Sequence, residues 1–210
     1  MNILLGITGS VAAGIVERKL IPELNKLGQV KTVITEKANY FIEHNYDTYQ
    51  TETTKYLTYN EFEEWKNKYP KIKEDDEWKW KKKGDPVLHI TLKDWADIFV
   101  IAPLSANTLS KMVNGICDNL LTSIYRAWPM DKPIIIAPAM NTDMWNHPIT
   151  NEQLNILTKR HMVFPSIKTK YTLDIVWPVA KELACGTTGM GALAPIEEII
   201  KKVNSLVTTT

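Results

Sequence analysis

Five segments of this 210-residue chain concentrate side chains able to do chemistry. In DPVLHITLKDWAD, residues 85–97, His89 sits among apolar neighbours ahead of a short amphipathic stretch. Imidazole is the natural general base near neutral pH, although a lone histidine in such company also serves as a structural residue. In ACGTTGMGALA, residues 184–194, Cys185 stands among glycines, where backbone N–H groups can tune a thiol's proton affinity. TGSVAAG, residues 8–14, joins Gly9, Ser10 and Val11 to small alanines. It reads either as a tight strand-to-helix turn or as a helix start whose free N–H groups attract phosphate. APLSANT, residues 102–108, follows Pro103 with Ser105, Ala106, Asn107 and Thr108. An N-cap needs one such polar side chain; three also suit a phosphate or a polyol chain. APAMNTDMW, residues 137–145, presents Ala139, Asn141, Met144 and Trp145. Asn141 suits a carboxylate or an amide, and the methionines and tryptophan suit an apolar wall or a core-filling turn.

Each segment must be carried by the elements around it. Unbroken apolar runs at 2–8, 30–34, 97–102 and 133–137 predict strands covered on both faces. Helical spacing marks 11–27, 36–43, 105–114, 148–160 and 196–206, with Gly28 as a stop for the first helix. Strand and helix alternate, which predicts an α/β fold: a doubly wound, Rossmann-like parallel sheet in one domain spanning 1–210. Chemistry-bearing loops then collect at the C-terminal ends of the strands. The first loop is not G-x-G-x-x-G, so the dinucleotide fingerprint fails at its third glycine.

Composition narrows the function classes. The net charge of +1 gives no case for nucleic acid or an anionic membrane, and no apolar run reaches the ~20 residues of a membrane span. The N-terminus lacks a basic leader and enters a strand pattern directly. With only Cys117 and Cys185, reduced thiols in a cytoplasmic protein are expected, with no disulfide framework and no Cys-x-x-Cys metal motif. Cys117 follows helical apolar spacing and is expected to be a small core residue. Residues 60–84 hold seven acidic and eight basic residues with Trp65, Trp78 and Trp80. They read as a solvated charged insertion whose tryptophans lie on the protein body; the balanced signs argue against a nucleic-acid surface.

In chain order, DPVLHITLKDWAD, APLSANTLSKMVNGICDNLLTSIYRAW, PAMNTDMWNHPIT and CGTTGMGALA resemble the flavin-dependent cysteine decarboxylases, over about residues 2–203. DEWKWKKKGDPVLHI resembles the tryptophan-bearing acidic stretch that eukaryotic members carry before the histidine. The resemblance implies a flavoprotein fold, FMN as cofactor, and 4′-phosphopantothenoylcysteine as small-molecule substrate, converted to 4′-phosphopantetheine in coenzyme A biosynthesis. Direct loss of carbon dioxide from that substrate would leave a carbanion with no electron sink. The implied route first oxidises the thiol-bearing carbon to a thioaldehyde, which serves as the sink. Decarboxylation gives an ene-thiolate, and hydride and proton then return.

By the same resemblance Gly9, Ser10 and Val11 hold FMN with Thr35; Ser105, Ala106, Asn107 and Thr108 take its phosphate and ribityl side; and Ala139 lies by the ring. His89 is implied as the base of the oxidative half and Cys185 as the proton donor of the reductive half, on a flap at about 166–194 that covers substrate. Asn141 is implied to grip the substrate carboxylate, Met144 to shape the pocket, and the flavin to lie between protomers of a homotrimer. Thr187-Thr188 stands where the family has an acidic residue, and 166–183 is longer than the family's approach to the flap. No fused ligase domain is expected. Peptidyl-cysteine decarboxylases share the histidine but generally lack the flap cysteine. Flavin prenyltransferases lack the histidine–flap combination. Regulatory phosphatase-binding relatives usually carry long acidic tails.

Overall fold

The computed structural model describes residues 1–44, 64, 67–162, 173–182, 186 and 188–207. Six strands form one parallel sheet in the order β3-β2-β1-β4-β5-β6: β1 Asn2–Ile7, β2 Gln29–Ile34, β3 Lys71–Ile72, β4 Ile98–Leu104, β5 Ile134–Pro138 and β6 Leu173–Ile175. The chain winds outward from β1 in one direction and from β4 in the other, so the order reverses between these two strands. In such sheets ligands bind in the crevice at the strand C-termini beside that reversal.

The apolar runs explain the layering. Ile3, Leu5 and Ile7 of β1 join Ile98, Val100 and Ala102 of β4 and Ile135 and Ala137 of β5 in one core. Leu4, Phe99, Ile101, Ile134 and Ile136 enter the other, on the opposite face. Burying each large aliphatic side chain is worth about 1.5–3 kcal/mol, so these central strands are the fixed frame. Gly6 is bare because helix Leu120–Ala127 presses on it: a Cβ there would lie 2.8 Å from Leu121 Cδ1.

Several expectations are refined. The first helix runs from Ala13 to Asn25 with a π-helical turn at Val16–Leu20. Pro22 has no N–H to donate, and the helix widens just ahead of it, where Ile21 N–H donates to Val16 C=O. Gly28 is needed for contact, not for a left-handed stop: a Cβ would lie 2.1 Å from the Met1 carbonyl oxygen. β4 runs through Pro103 to Leu104 instead of ending at it. Cys117 is exposed, not core. Gly115, at φ 70°, ends helix Ala106–Asn114, and Asn119 caps the next helix through Thr122, leaving Cys117 in the connection.

The charged segment 60–84 is the largest correction, within the part that is described. Lys71–Ile72 is the edge strand β3, and Lys71 pairs with the buried Glu17 of the first helix. Glu74–Lys79 forms a 3₁₀ helix, and Glu74 Oε2 accepts the Leu120 N–H at 2.5 Å. These charges serve as helix caps and an ion pair, which a solvated insertion would not. Trp78 projects outward at 75% exposure, Trp80 is half-covered at 50%, and Trp65 is outside the described residues. Beyond β6, strands β7 Val179–Glu182 and β8 Thr188–Ala192 form an antiparallel pair.

Candidate active site

Four loops meet at the C-terminal edge of the sheet, and hydrogen bonds stitch them together in strand order. After β2, Thr35 N–H donates to Ile7 C=O at 3.1 Å, and its Oγ1 accepts the Ala38 N–H at 3.2 Å to start helix Glu36–His44. After β1, Thr8 is fully buried. Its Oγ1 donates to Pro103 C=O at 2.7 Å and accepts the Ser105 N–H at 2.7 Å. One hydroxyl thus locks the loops after β1 and β4 to each other across the reversal point. Ala139 N–H, after β5, donates to Leu104 C=O at 3.0 Å, and Met140 N–H donates to Gly191 C=O on β8 at 2.9 Å.

The predicted residues occupy this edge with distinct local jobs. Gly9 makes room for a neighbour: a Cβ would lie 2.7 Å from Lys37 Cβ. Ser10 Oγ accepts the Ala12 N–H at 3.3 Å, Val11 is exposed, and Ala12 and Ala13 are buried, as a tightly packed helix start requires. Ser105 is the N-cap of helix Ala106–Asn114; its Oγ accepts the Thr108 N–H at 3.3 Å and lies 3.2 Å from Thr108 Oγ1. Both are buried, so capping claims these two hydroxyls. Asn107 is exposed, and Ala106 and Asn107 contribute N–H groups from the helix's first turn. Ala139 and Met140 are buried. Asn141 caps the short helix Thr142–Asn146, its Oδ1 accepting the Asp143 N–H at 2.8 Å. Met144 is exposed, and Trp145 meets Trp177 edge to face at 6.1 Å.

Strand β8 lies directly on this last loop. A Cβ at Gly189 would sit 2.4 Å from Thr142 Oγ1, and one at Gly191 2.4 Å from the Met140 carbonyl oxygen. Gly191 also has φ 121°, a backbone conformation only glycine adopts readily. Gly189 and Gly191 therefore let a strand dock closely. Cys185 lies outside the described residues.

His89 reaches the same edge from another element. It opens helix Leu88–Trp95, about 12 Å long at 1.5 Å per residue. The far end of that helix is tied to the start of β1, where Asn2 Nδ2 donates to Trp95 C=O at 2.9 Å. The helix is the crossover that leads into the parallel strand β4, so it runs back along the sheet and its N-terminus lies toward the strand C-termini. Among the described residues, the hydrogen bonds of His89 run to Glu77: N–H to Oε2 at 3.0 Å and Nδ1 to Oε1 at 2.5 Å. Sequence reasoning missed both Thr8 as the lock and Glu77 as the partner. Thr8 carried a signal, its place between a buried strand and Gly9; Glu77 was hidden in a charge run.

A separate concavity of about 320 Å³ lies between helices Ala106–Asn114, Leu120–Ala127 and Pro148–Met162, lined by Met112, Cys117, Tyr125, Trp128 and His161 among others. Burial pushes the Tyr125 phenol up to about 12 and holds the His161 imidazole below its ordinary 6.5. Among the described residues, none of the predicted site residues lines it.

The family model described as Flavoprotein matches residues 1–208. The chain is 38% identical over 206 residues to the phosphopantothenoylcysteine decarboxylase of Mus musculus, covering 98% of this chain and 86% of that one. A solved structure of a PPC decarboxylase mutant complexed with pantothenoylaminoethenethiol matches at a TM-score of 0.77 and 37% identity, over 99% of this chain and 98% of the other. The FMN-binding protein AtHal3 matches at a TM-score of 0.75 and 37% identity, over 100% and 97%.

Proposed function

The chain belongs to the flavoprotein family, and within it we propose that it is the FMN-dependent decarboxylase that converts 4′-phosphopantothenoylcysteine to 4′-phosphopantetheine in coenzyme A biosynthesis. The observation that carries this reading is the stitched set of loops at the β1–β4 reversal, where every predicted cofactor residue falls on one edge. The donor set there fits FMN. A helix start supplies N–H groups at Ala106 and Asn107, which suit the phosphate. Ser10, Thr35 and the Asn107 amide suit the ribityl hydroxyls, and Ala139 leaves a small apolar surface for a flat ring. Bound FMN would supply reversible hydride acceptance from the thiol-bearing carbon.

The chain's own residues do the rest. Nε2 of His89 takes the proton of the substrate thiol, since Nδ1 is engaged by Glu77. Asn141 holds the substrate carboxylate until it leaves as carbon dioxide, and Met144 walls the pocket. Cys185, in the segment between β7 and β8, donates the proton that completes the ene-thiolate's return to the thiol. Exposed Val87 and Ile90 flank His89, which suits a surface covered by a neighbouring protomer of a homotrimer in the cytoplasm. The test is titration of the protein with FMN, FAD and NAD, followed by carbon dioxide release from 4′-phosphopantothenoylcysteine. FMN alone is expected to bind and to support release. Binding of FAD or NAD but not FMN, or no release from the loaded protein, overturns the reading.

A further inference from the structure

The proton-accepting nitrogen of His89 is selected by a second residue. We propose that Glu77 is a positioning residue that holds His89 as the Nδ1–H tautomer and keeps Nε2 as the acceptor; this rests on the reading of His89 as the base. Both carboxylate oxygens are committed to the same residue. Oε2 accepts the backbone N–H of His89 at 3.0 Å and Oε1 accepts from Nδ1 at 2.5 Å. The first bond fixes the backbone against the carboxylate and the second fixes the ring, so ring rotation costs a short hydrogen bond. An ionised carboxylate only accepts, so Nδ1 must carry hydrogen. In the neutral ring the lone pair then lies on Nε2. The pair is largely withdrawn from water, with side-chain exposures of 26% for His89 and 13% for Glu77.

Glu77 is itself held in place. Its 3₁₀ helix is closed by Asp76 Oδ2, which accepts the Lys73 N–H at 2.8 Å, and is anchored to helix Leu120–Ala127 through Glu74. The competing role is a plain helix cap, which the Oε2 bond alone would satisfy. Substitution by glutamine separates the two. Its carbonyl oxygen still caps the His89 N–H, but its NH₂ group can only donate toward Nδ1, which drives the proton to Nε2.

The experiment is NMR of FMN-loaded protein labelled with ¹⁵N in histidine, with His89 assigned through His89→Asn. Wild type and Glu77→Asp are expected to show a protonated Nδ1 and an unprotonated Nε2, and Glu77→Gln a proton on Nε2. In steady state Glu77→Gln is expected to lose about 10²–10⁴-fold in kcat with KM unchanged, since a proton on Nε2 removes the general base, and Glu77→Asp to recover part of it. A wild-type ring protonated on Nε2 with a bare Nδ1 overturns the proposal without any variant. So does a Glu77→Gln enzyme with the wild-type tautomer and kcat. The tautomer is read without turnover, so a wild-type protein that releases no carbon dioxide contradicts the functional reading and leaves this test standing.

Discussion

The crevice at the β1–β4 reversal and the charged segment that grips His89 reach one edge of the sheet by different means. The crevice is built from the frame: its loops emerge from fully buried strands and are locked by a buried hydroxyl that satisfies two backbone groups. The charged segment has a two-residue edge strand and no fully buried side chain in its 3₁₀ helix. It is held by carboxylates: Glu17 on Lys71, Glu74 on a helix start, Glu77 on His89. Apolar burial thus fixes where a cofactor would lie, while charge-assisted bonds fix where a base would stand.

That contrast predicts separable failures. His89→Asn should cut carbon dioxide release by about 10²–10⁴-fold and leave FMN affinity intact, because the imidazole is held by the charged segment and not by the crevice loops. Equal loss of both in FMN titration and turnover assays would merge the two regions into one. Lys71→Ala strands the buried Glu17 carboxylate and should cost about 3–5 kcal/mol in chemical denaturation. A cost within error would mean the segment is not anchored there. Thr8→Val removes the hydroxyl and leaves the buried Ser105 N–H without its acceptor, while Pro103 C=O keeps only the backbone N–H of residue 8. It should cost about 1–3 kcal/mol and weaken FMN binding while leaving the Glu77–His89 pair in place.

The frame was legible in the sequence because β1, β4 and β5 are buried on both faces and so appear as unbroken apolar runs. β3 and β6 were not, because strands of two and three residues at the sheet edges carry no periodic signal. The positions of the loops at that edge were legible because each directly follows a legible strand. Glu77 was missed because its partner is 12 residues away, and a carboxylate that orients an imidazole has the same one-letter code as a solvated one. Cys117 was misplaced because the apolar residues of Leu120–Ala127 extend the helical spacing across the Gly115 break.

The smallest expected effect lies away from both regions. His161 is held below 6.5 by burial, so the unfolded chain binds more protons than the folded one as the pH falls below that value. Its stabilising contribution is complete above 6.5 and is lost as the pH drops through the folded value. Thermal midpoints should fall with pH in that window, and less steeply in His161→Gln. An identical slope would place the effect elsewhere. FMN binding at neutral pH should be unchanged by this substitution, since His161 lines the separate concavity.

The central claim is a decarboxylation with no net redox change, in which the oxidation that loosens carbon dioxide is reversed before product leaves. Product mass after one anaerobic turnover of FMN-loaded protein tests it directly. The wild-type chain should yield 4′-phosphopantetheine, with one carbon dioxide per product and no added oxidant. Cys185→Ser should release carbon dioxide yet stall at a product two hydrogens lighter, because hydride return lacks its proton donor. A wild-type product that is itself two hydrogens lighter, or an unchanged substrate, would contradict the account.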